Sequence, residues 1–144
     1  MVLKYLNKRL LNEKKIKILI VRSSYNDTSK LFESAKNRLL NYKNVTFSTK
    51  SVSGAFEIPV AISKNINKFD GFIAIGSIIK GQTPNFNFIS EAITHGIMSL
   101  AIKHKKPIGN AILTCLNKDQ ATERYEKGKE AVEAVISVLD DQKR

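Results

Sequence analysis

The stretch Gly71–Phe88, GFIAIGSIIKGQTPNFNF, decides how the chain folds. Phe72, Ile73, Ala74, Ile75, Ile78 and Ile79 form a nearly continuous apolar run rich in β-branched residues. That pattern predicts a central parallel strand covered on both faces. The run breaks into Lys80-Gly81-Gln82-Thr83-Pro84 and then into a helical pattern. Ligands of open parallel sheets bind beyond the carboxyl ends of the strands, so the loop is where a site is expected. Gly81 permits a turn with positive φ or a close backbone approach. The N–H groups of Gly81, Gln82 and Thr83 would then converge near the positive end of the next helix, an arrangement that suits an anion, phosphate above all. The same residue types serve turn geometry and N-capping in many α/β loops, so the loop alone leaves both readings open.

Working outward, Ile16–Val21 is a strand candidate, followed by Ser-Ser-Tyr-Asn-Asp and a helix with Leu31, Phe32, Ala35 and Leu39 on one face. Val45, Phe47 and Thr49 alternate with polar residues as a short second strand. After Gly54, Pro59 is tolerated in the first turn of a helix running through Val60, Ile62 and Ile66. Downstream, Ile89, Ala92, Ile93, Gly96, Ile97, Leu100 and Ala101 give a helical stripe that serves either core or interface. Pro107 starts a last strand, Ile108–Cys115. Asn117 with Gln120 reads as a capping box opening one final helix, with Ala121, Tyr125, Val132, Val135, Ile136 and Leu139 on its inner side. Strictly alternating strands and helices without linker or repeat predict one three-layer αβα sandwich around a central parallel four-stranded sheet, residues 16–144. Residues 1–15 precede it as a basic arm, partly amphipathic through Val2, Leu3, Leu6, Leu10 and Leu11.

A chain of 144 residues buries about two-thirds of its unfolded surface in one core. The single cysteine, Cys115, rules out an internal disulfide and reads as an inert buried thiol, compatible with a reducing cytoplasm. The first fifteen residues carry charges throughout and no apolar run of signal-peptide length. No later segment approaches a membrane span, so a cytoplasmic protein without membrane contact is expected. A net charge of +11 raises the question of a nucleic-acid module. The lysines are scattered, and no helix-turn-helix, KH or RNP pattern accompanies them, so nucleic acid is not an expected partner. The frequency of Asn and Lys explains the charge as a compositional bias.

Ser53-Gly54-Ala55-Phe56-Glu57-Ile58-Pro59, together with GSIIKGQTP and the Ile112-Leu113-Thr114 strand end, resembles the 6,7-dimethyl-8-ribityllumazine synthase family, collinearly from Ile16 to Leu139. The resemblance implies a flavodoxin-like fold with sites shared between subunits. It implies condensation of 5-amino-6-ribitylamino-uracil with 3,4-dihydroxy-2-butanone 4-phosphate by imine formation, phosphate loss, ring closure and dehydration, with no metal or organic cofactor. Tyr25 matches the aromatic that stacks on the pyrimidine, usually Phe or Trp followed by Asn; by itself it reads rather as a cover for the sheet edge, and Asn26 would equally cap the next helix. Glu57 resembles the carboxylate that accepts hydrogen bonds from the ribityl chain, with backbone groups of Ala55 and Phe56 beside it. A helix-start Glu favoured by the macrodipole is the other reading. Ile78, Ile79 and Lys80 correspond to the strand end that reads the pyrimidine's polar edge. The Gln82 and Thr83 amides and the Thr83 hydroxyl match the phosphate site. Arg124 matches the Arg that reaches the phosphate from a neighbouring subunit, and Lys127 is a second candidate for that anion.

The chain also departs from the family. Where the loop usually reads Thr-Pro-His-Phe-Asp or Thr-Thr-His-Tyr-Asp, its His being the proposed general acid/base, this chain has Asn85, and Asn87 stands at the frequent Asp. A carboxamide orients groups by hydrogen bonds and does not pass a proton near neutral pH. His95 lies roughly 15 Å along the helix from Asn85, and His104 lies farther. Asn110 occupies a position where one branch of the family has an aromatic over the ring and another has Gly-Asn. The turn Glu123–Gly128 lacks the longer insertion of capsid-forming members, which favours a homopentamer. Two expectations follow: a synthase with slowed proton transfer, or a noncatalytic descendant that binds lumazine or riboflavin.

Overall fold

The computed structural model describes residues 14–81 and 85–140. The expected basic arm therefore lies, apart from Lys14 and Lys15, outside the described residues, as do Gln82 and Thr83 of the expected anion loop. The elements are β1 (Ile16–Ser23), α1 (Ser29–Leu39), β2 (Val45–Val52), a 3₁₀ turn (Ala55–Glu57), α2 (Ile58–Lys64), β3 (Gly71–Ile79), α3 (Phe86–His104), β4 (Ile108–Cys115), α4 (Lys118–Glu123) and α5 (Lys127–Asp140). The strands form one parallel sheet in the order β2-β1-β3-β4.

Alternation along the strands sorts the apolar residues onto two faces. Ile18 and Ile20 of β1, Ile73 and Ile75 of β3, and Ala111 and Leu113 of β4 pack against Leu31, Ala35 and Leu39 of α1 and Val132, Val135 and Ile136 of α5. On the opposite face Leu19, Val21, Phe72, Ala74 and Ile78 meet Ile58 and Ile62 of α2 and Ile93 and Ile97 of α3. The result is the expected three-layer flavodoxin-like sandwich. All nine residues of β3 are buried, as its apolar run requires of a strand flanked on both edges and covered on both faces.

Two local expectations are corrected. The final helix is two: α4 ends at Glu123, and the backbone turns through bonds from Lys127 N–H to the Arg124 carbonyl and from Gly128 N–H to that of Tyr125. Glu123–Lys127 offers no apolar residue but Tyr125 to bury, and Tyr125 is exposed instead of facing inward. The second correction is that α2 ends at Lys64, so the buried Ile66 sits in the following turn. The α3 stripe serves the core in part: Ile93 and Ile97 are buried, Ile89 and Leu100 pack half-buried beside them, Ala92 is exposed, and Phe88, Met98 and Ile102 stand in solvent on the same helix. The capping pattern at α4 is present, with Asn117 Oδ1 accepting from Gln120 N–H at 2.9 Å and Gln120 Oε1 accepting from Leu116 N–H at 2.9 Å. No helix among the described residues is long and apolar enough to cross a membrane.

Candidate active site

The carboxyl ends of β1 and β3 open on the same side of the sheet, and β1's pairing with β2 continues past both strands. Ser24 N–H donates to the Val52 carbonyl at 2.8 Å and Tyr25 N–H to the Ser53 carbonyl at 3.0 Å. Those bonds set the Tyr25 loop beside the Gly54–Glu57 turn. Asn26 then adopts a left-handed backbone, φ 68°, and its Nδ2 donates to the Ser77 carbonyl at 2.8 Å. It therefore ties the loop to the end of β3 rather than capping α1. The cap position belongs to Thr28, and Asp27 Oδ1 accepts from Ser29 N–H at 2.9 Å. That bond holds the Asp27 carboxyl below its usual range.

Between these pieces lies a cavity of about 240 Å³, lined by Tyr25, Asn26, Gly54, Ala55, Phe56, Ser77, Ile78, Ile79 and Ile89. Five of the residues singled out in the sequence, Tyr25, Ala55, Phe56, Ile78 and Ile79, meet here. Asn26, Gly54, Ser77 and Ile89 are additions. Ile89 arrives because α3 starts directly after the loop, its N–H bonded to the Asn85 carbonyl at 2.9 Å; its place in the helical stripe was the available signal. Nothing in the sequence signalled the bond from Asn26 to a residue 51 positions away.

The other candidates do not line the cavity. Glu57 closes the 3₁₀ turn, and its Oε1 accepts from the Ser53 hydroxyl at 3.5 Å. Lys80 follows Ile79 with an exposed side chain and its N–H on the Cys115 carbonyl at 2.9 Å. Gly81 takes φ 94°, the positive value that the turn asks of glycine. Asn85 sits at the amino end of α3, exposed. Asn110 lies on β4, opposite Ala74, and its Oδ1 accepts from Ile112 N–H at 2.9 Å. Arg124 ends α4, its Nη1 3.9 Å from the Cys115 sulfur. Burial pushes the Cys115 thiol above its ordinary value, with Arg124 opposing the shift. Lys127 opens α5 and pairs with Glu130 at 3.7 Å. His95 faces a separate open groove of about 860 Å³ between α3 and β4, with Phe88, Met98 and Thr114.

A mostly apolar cavity beside the end of a buried strand combines apolar contact surface with backbone groups that can hydrogen-bond a small molecule's edge. The family model described as 6,7-dimethyl-8-ribityllumazine synthase matches residues 15–143. The chain belongs to the 6,7-dimethyl-8-ribityllumazine synthase family. Among its relatives, a protein of Sulfurimonas denitrificans named 6,7-dimethyl-8-ribityllumazine synthase is 34% identical over 141 residues, 92% of each chain. One of the same name from Campylobacter concisus is 37% identical over 145 residues, 93% of this chain and 92% of its own. A lumazine synthase of Cutibacterium acnes is 42% identical over 95 residues, 61% of this chain and 57% of its own. The family match spans every strand of the sheet and both loops that wall the cavity.

Proposed function

We propose that the protein is a 6,7-dimethyl-8-ribityllumazine synthase, condensing 5-amino-6-ribitylamino-uracil with 3,4-dihydroxy-2-butanone 4-phosphate in riboflavin biosynthesis. The observation that carries this function is the single cavity gathering Tyr25, Ala55, Phe56, Ile78 and Ile79 in a chain of this family. Tyr25 stacks on the pyrimidine, the Ile78–Lys80 backbone meets its polar edge, and Glu57 accepts from the ribityl hydroxyls. Gln82, Thr83 and Arg124, with Lys127 in reserve, hold the phosphate. Holding two reactants in contact supplies much of the acceleration in such a condensation. Asn85 leaves the site without the family's imidazole, and a missing general acid/base slows turnover by up to about 10²–10⁴-fold.

The sites are shared between subunits of a cytoplasmic homopentamer. Two observations support sharing. A cavity of about 240 Å³ is smaller than the ~300–1,000 Å³ of most small-molecule sites. Asn110, Arg124 and Lys127 also stand outside it, available to a neighbour's cavity. The groove beside α3, with exposed Phe88 and Met98, is the face such a neighbour covers.

The substitution at Asn85 also favours a second reading, a noncatalytic protein that binds lumazine or riboflavin in the same cavity. Steady-state product formation at several protein concentrations, corrected for the spontaneous reaction, separates the two. Turnover proportional to protein establishes the synthase. Micromolar product binding without turnover establishes the binding protein.

A further inference from the structure

We propose that a second, smaller pocket behind the candidate active site binds a pair of ordered waters, which bridge the Ser77 hydroxyl to the first amides of α1 and brace the Tyr25 loop from its far side. This site lies at the back of β3, whatever reaction the cavity in front performs.

The pocket, of about 70 Å³, lies where α1 begins, with Leu31, Leu113 and Ala121 as its apolar walls. Those three belong to the core layer under α1 and α5. Ser77 comes two residues after Ile75, so strand alternation sends its side chain into that same layer. Its carbonyl serves the front, accepting from Asn26 beside the cavity. Only 4% of Ser77 is exposed, and its hydroxyl has no hydrogen-bond partner among the described residues. A hydroxyl left unmet in such a place is costly. The start of α1 supplies the other half. Phe32 N–H reaches the Thr28 carbonyl and Ser29 N–H reaches Asp27 Oδ1, which leaves the Lys30 and Leu31 amides, both at the pocket, without an acceptor among the described residues.

These groups select a neutral ligand that both donates and accepts. The two amides only donate, the Asp27 carboxylate at the rim only accepts, and the Ser77 hydroxyl does either. The bond from Ser29 keeps the Asp27 carboxyl ionised, which opposes an anion, while the amides and the Lys30 ammonium oppose a cation. The threonine hydroxyls are already engaged, Thr28 Oγ1 accepting from Arg22 Nε at 3.0 Å and Thr122 Oγ1 donating to the Lys118 carbonyl at 3.1 Å. Water fits this set of partners, and at ~30 Å³ apiece the pocket has room for about two. Ser77 then holds the Tyr25 loop twice: in front through Asn26, and behind through water to the helix that the loop runs into.

The test joins a crystal structure of the full chain to the variant Ser77→Ala, which removes the hydroxyl and keeps the carbonyl. We expect about two solvent peaks in the wild-type pocket, one within hydrogen-bond distance of Ser77 Oγ, and the loss of that one in the variant. In urea, removing a satisfied hydroxyl should lower the folding equilibrium constant about two- to tenfold, and hydrogen exchange of the Tyr25 amide should quicken. An unmet hydroxyl predicts the opposite sign, since its removal relieves a buried polar group. A more stable Ser77→Ala, or a wild-type pocket without solvent density, therefore overturns the proposal. A bromide soak that puts an anomalous peak in the pocket overturns it in favour of an anion. Unchanged exchange at Tyr25 overturns the bracing of the loop.

Discussion

Asn26 and Ser77 are joined by a 2.8 Å bond from the Asn26 side-chain amide to the Ser77 carbonyl, which locks the Tyr25 loop onto the end of β3. Asn26 makes that bond from a backbone with φ 68°. Asn26→Gly and Asn26→Ala both lose the bond, at about 1 kcal/mol. Alanine also carries the left-handed penalty, about 1 kcal/mol more, which glycine escapes. Urea titrations should therefore rank wild type above Asn26→Gly and Asn26→Gly above Asn26→Ala. Equal midpoints for the two variants would show that the left-handed backbone costs nothing here.

A second expectation concerns the contact between α1 and α5. A Cβ on Gly128 would run into the Leu31 carbonyl and lie 3.0 Å from the Ala35 nitrogen, both backbone atoms that cannot rotate away. Gly128→Ala gains up to about 1 kcal/mol of helix propensity, but forcing the helices apart should cost about 1–3 kcal/mol. Thermal melting should show a net fall in Tm. A rise would mean that the two helices are free to separate.

Restoring the imidazole tests the rest of the cavity. Asn85→His should raise kcat by about 10²-fold or more and introduce an acid limb typical of histidine. Lumazine fluorescence measures both. No gain in rate would show that the carboxamide is not what limits turnover.

Cys115 sets a pH dependence on the alkaline side. Burial raises its folded-state value, so the folded protein keeps a proton that the unfolded chain releases. The stability that this contributes is complete below the unfolded thiol's value and is lost as pH climbs through the folded one. Burial raises the Tyr42 phenol too, and extends the loss to higher pH. The urea midpoint should fall between about pH 8 and about pH 10, and less steeply in Cys115→Ala. Identical slopes would remove Cys115 from the alkaline transition.

Much of this architecture was legible because burial and periodicity coincide. The β3 run matched a strand covered on both faces, and the alternation of strands and helices pointed to the three layers. Where a pattern served two ends, the sequence could not choose. The α3 stripe has the same spacing whether it meets the protein's own core or another chain; Ile93 and Ile97 are buried in the core, Ile89 and Leu100 are half-buried beside them, and Ala92 is exposed. The split between α4 and α5 went unread because Tyr125 continued the apolar spacing across a polar turn. Asn26 suited a helix cap equally well, since its long-range bond depends on where Ser77 arrives in space. The motif residues converged where strand ends always converge. Lys80, Asn110 and Arg124 do not line the cavity: Lys80 lies beyond the end of β3, Asn110 pairs with Ala74 within the sheet, and Arg124 follows α4.

The complete burial of β3 gives the cavity a floor and walls of unequal stiffness. Ile78 and Ile79 pair with Thr114 and Cys115 inside the sheet, whereas Tyr25 stands on a loop and Phe56 in the 3₁₀ turn, each 61% exposed. Backbone opening at the floor therefore requires disrupting the sheet's centre, and the tethered Tyr25 backbone is held as well, so the exposed rings are what is left to turn. The ligand proposed above would meet polar edges set by the backbone and adapt only where the aromatic side chains swing.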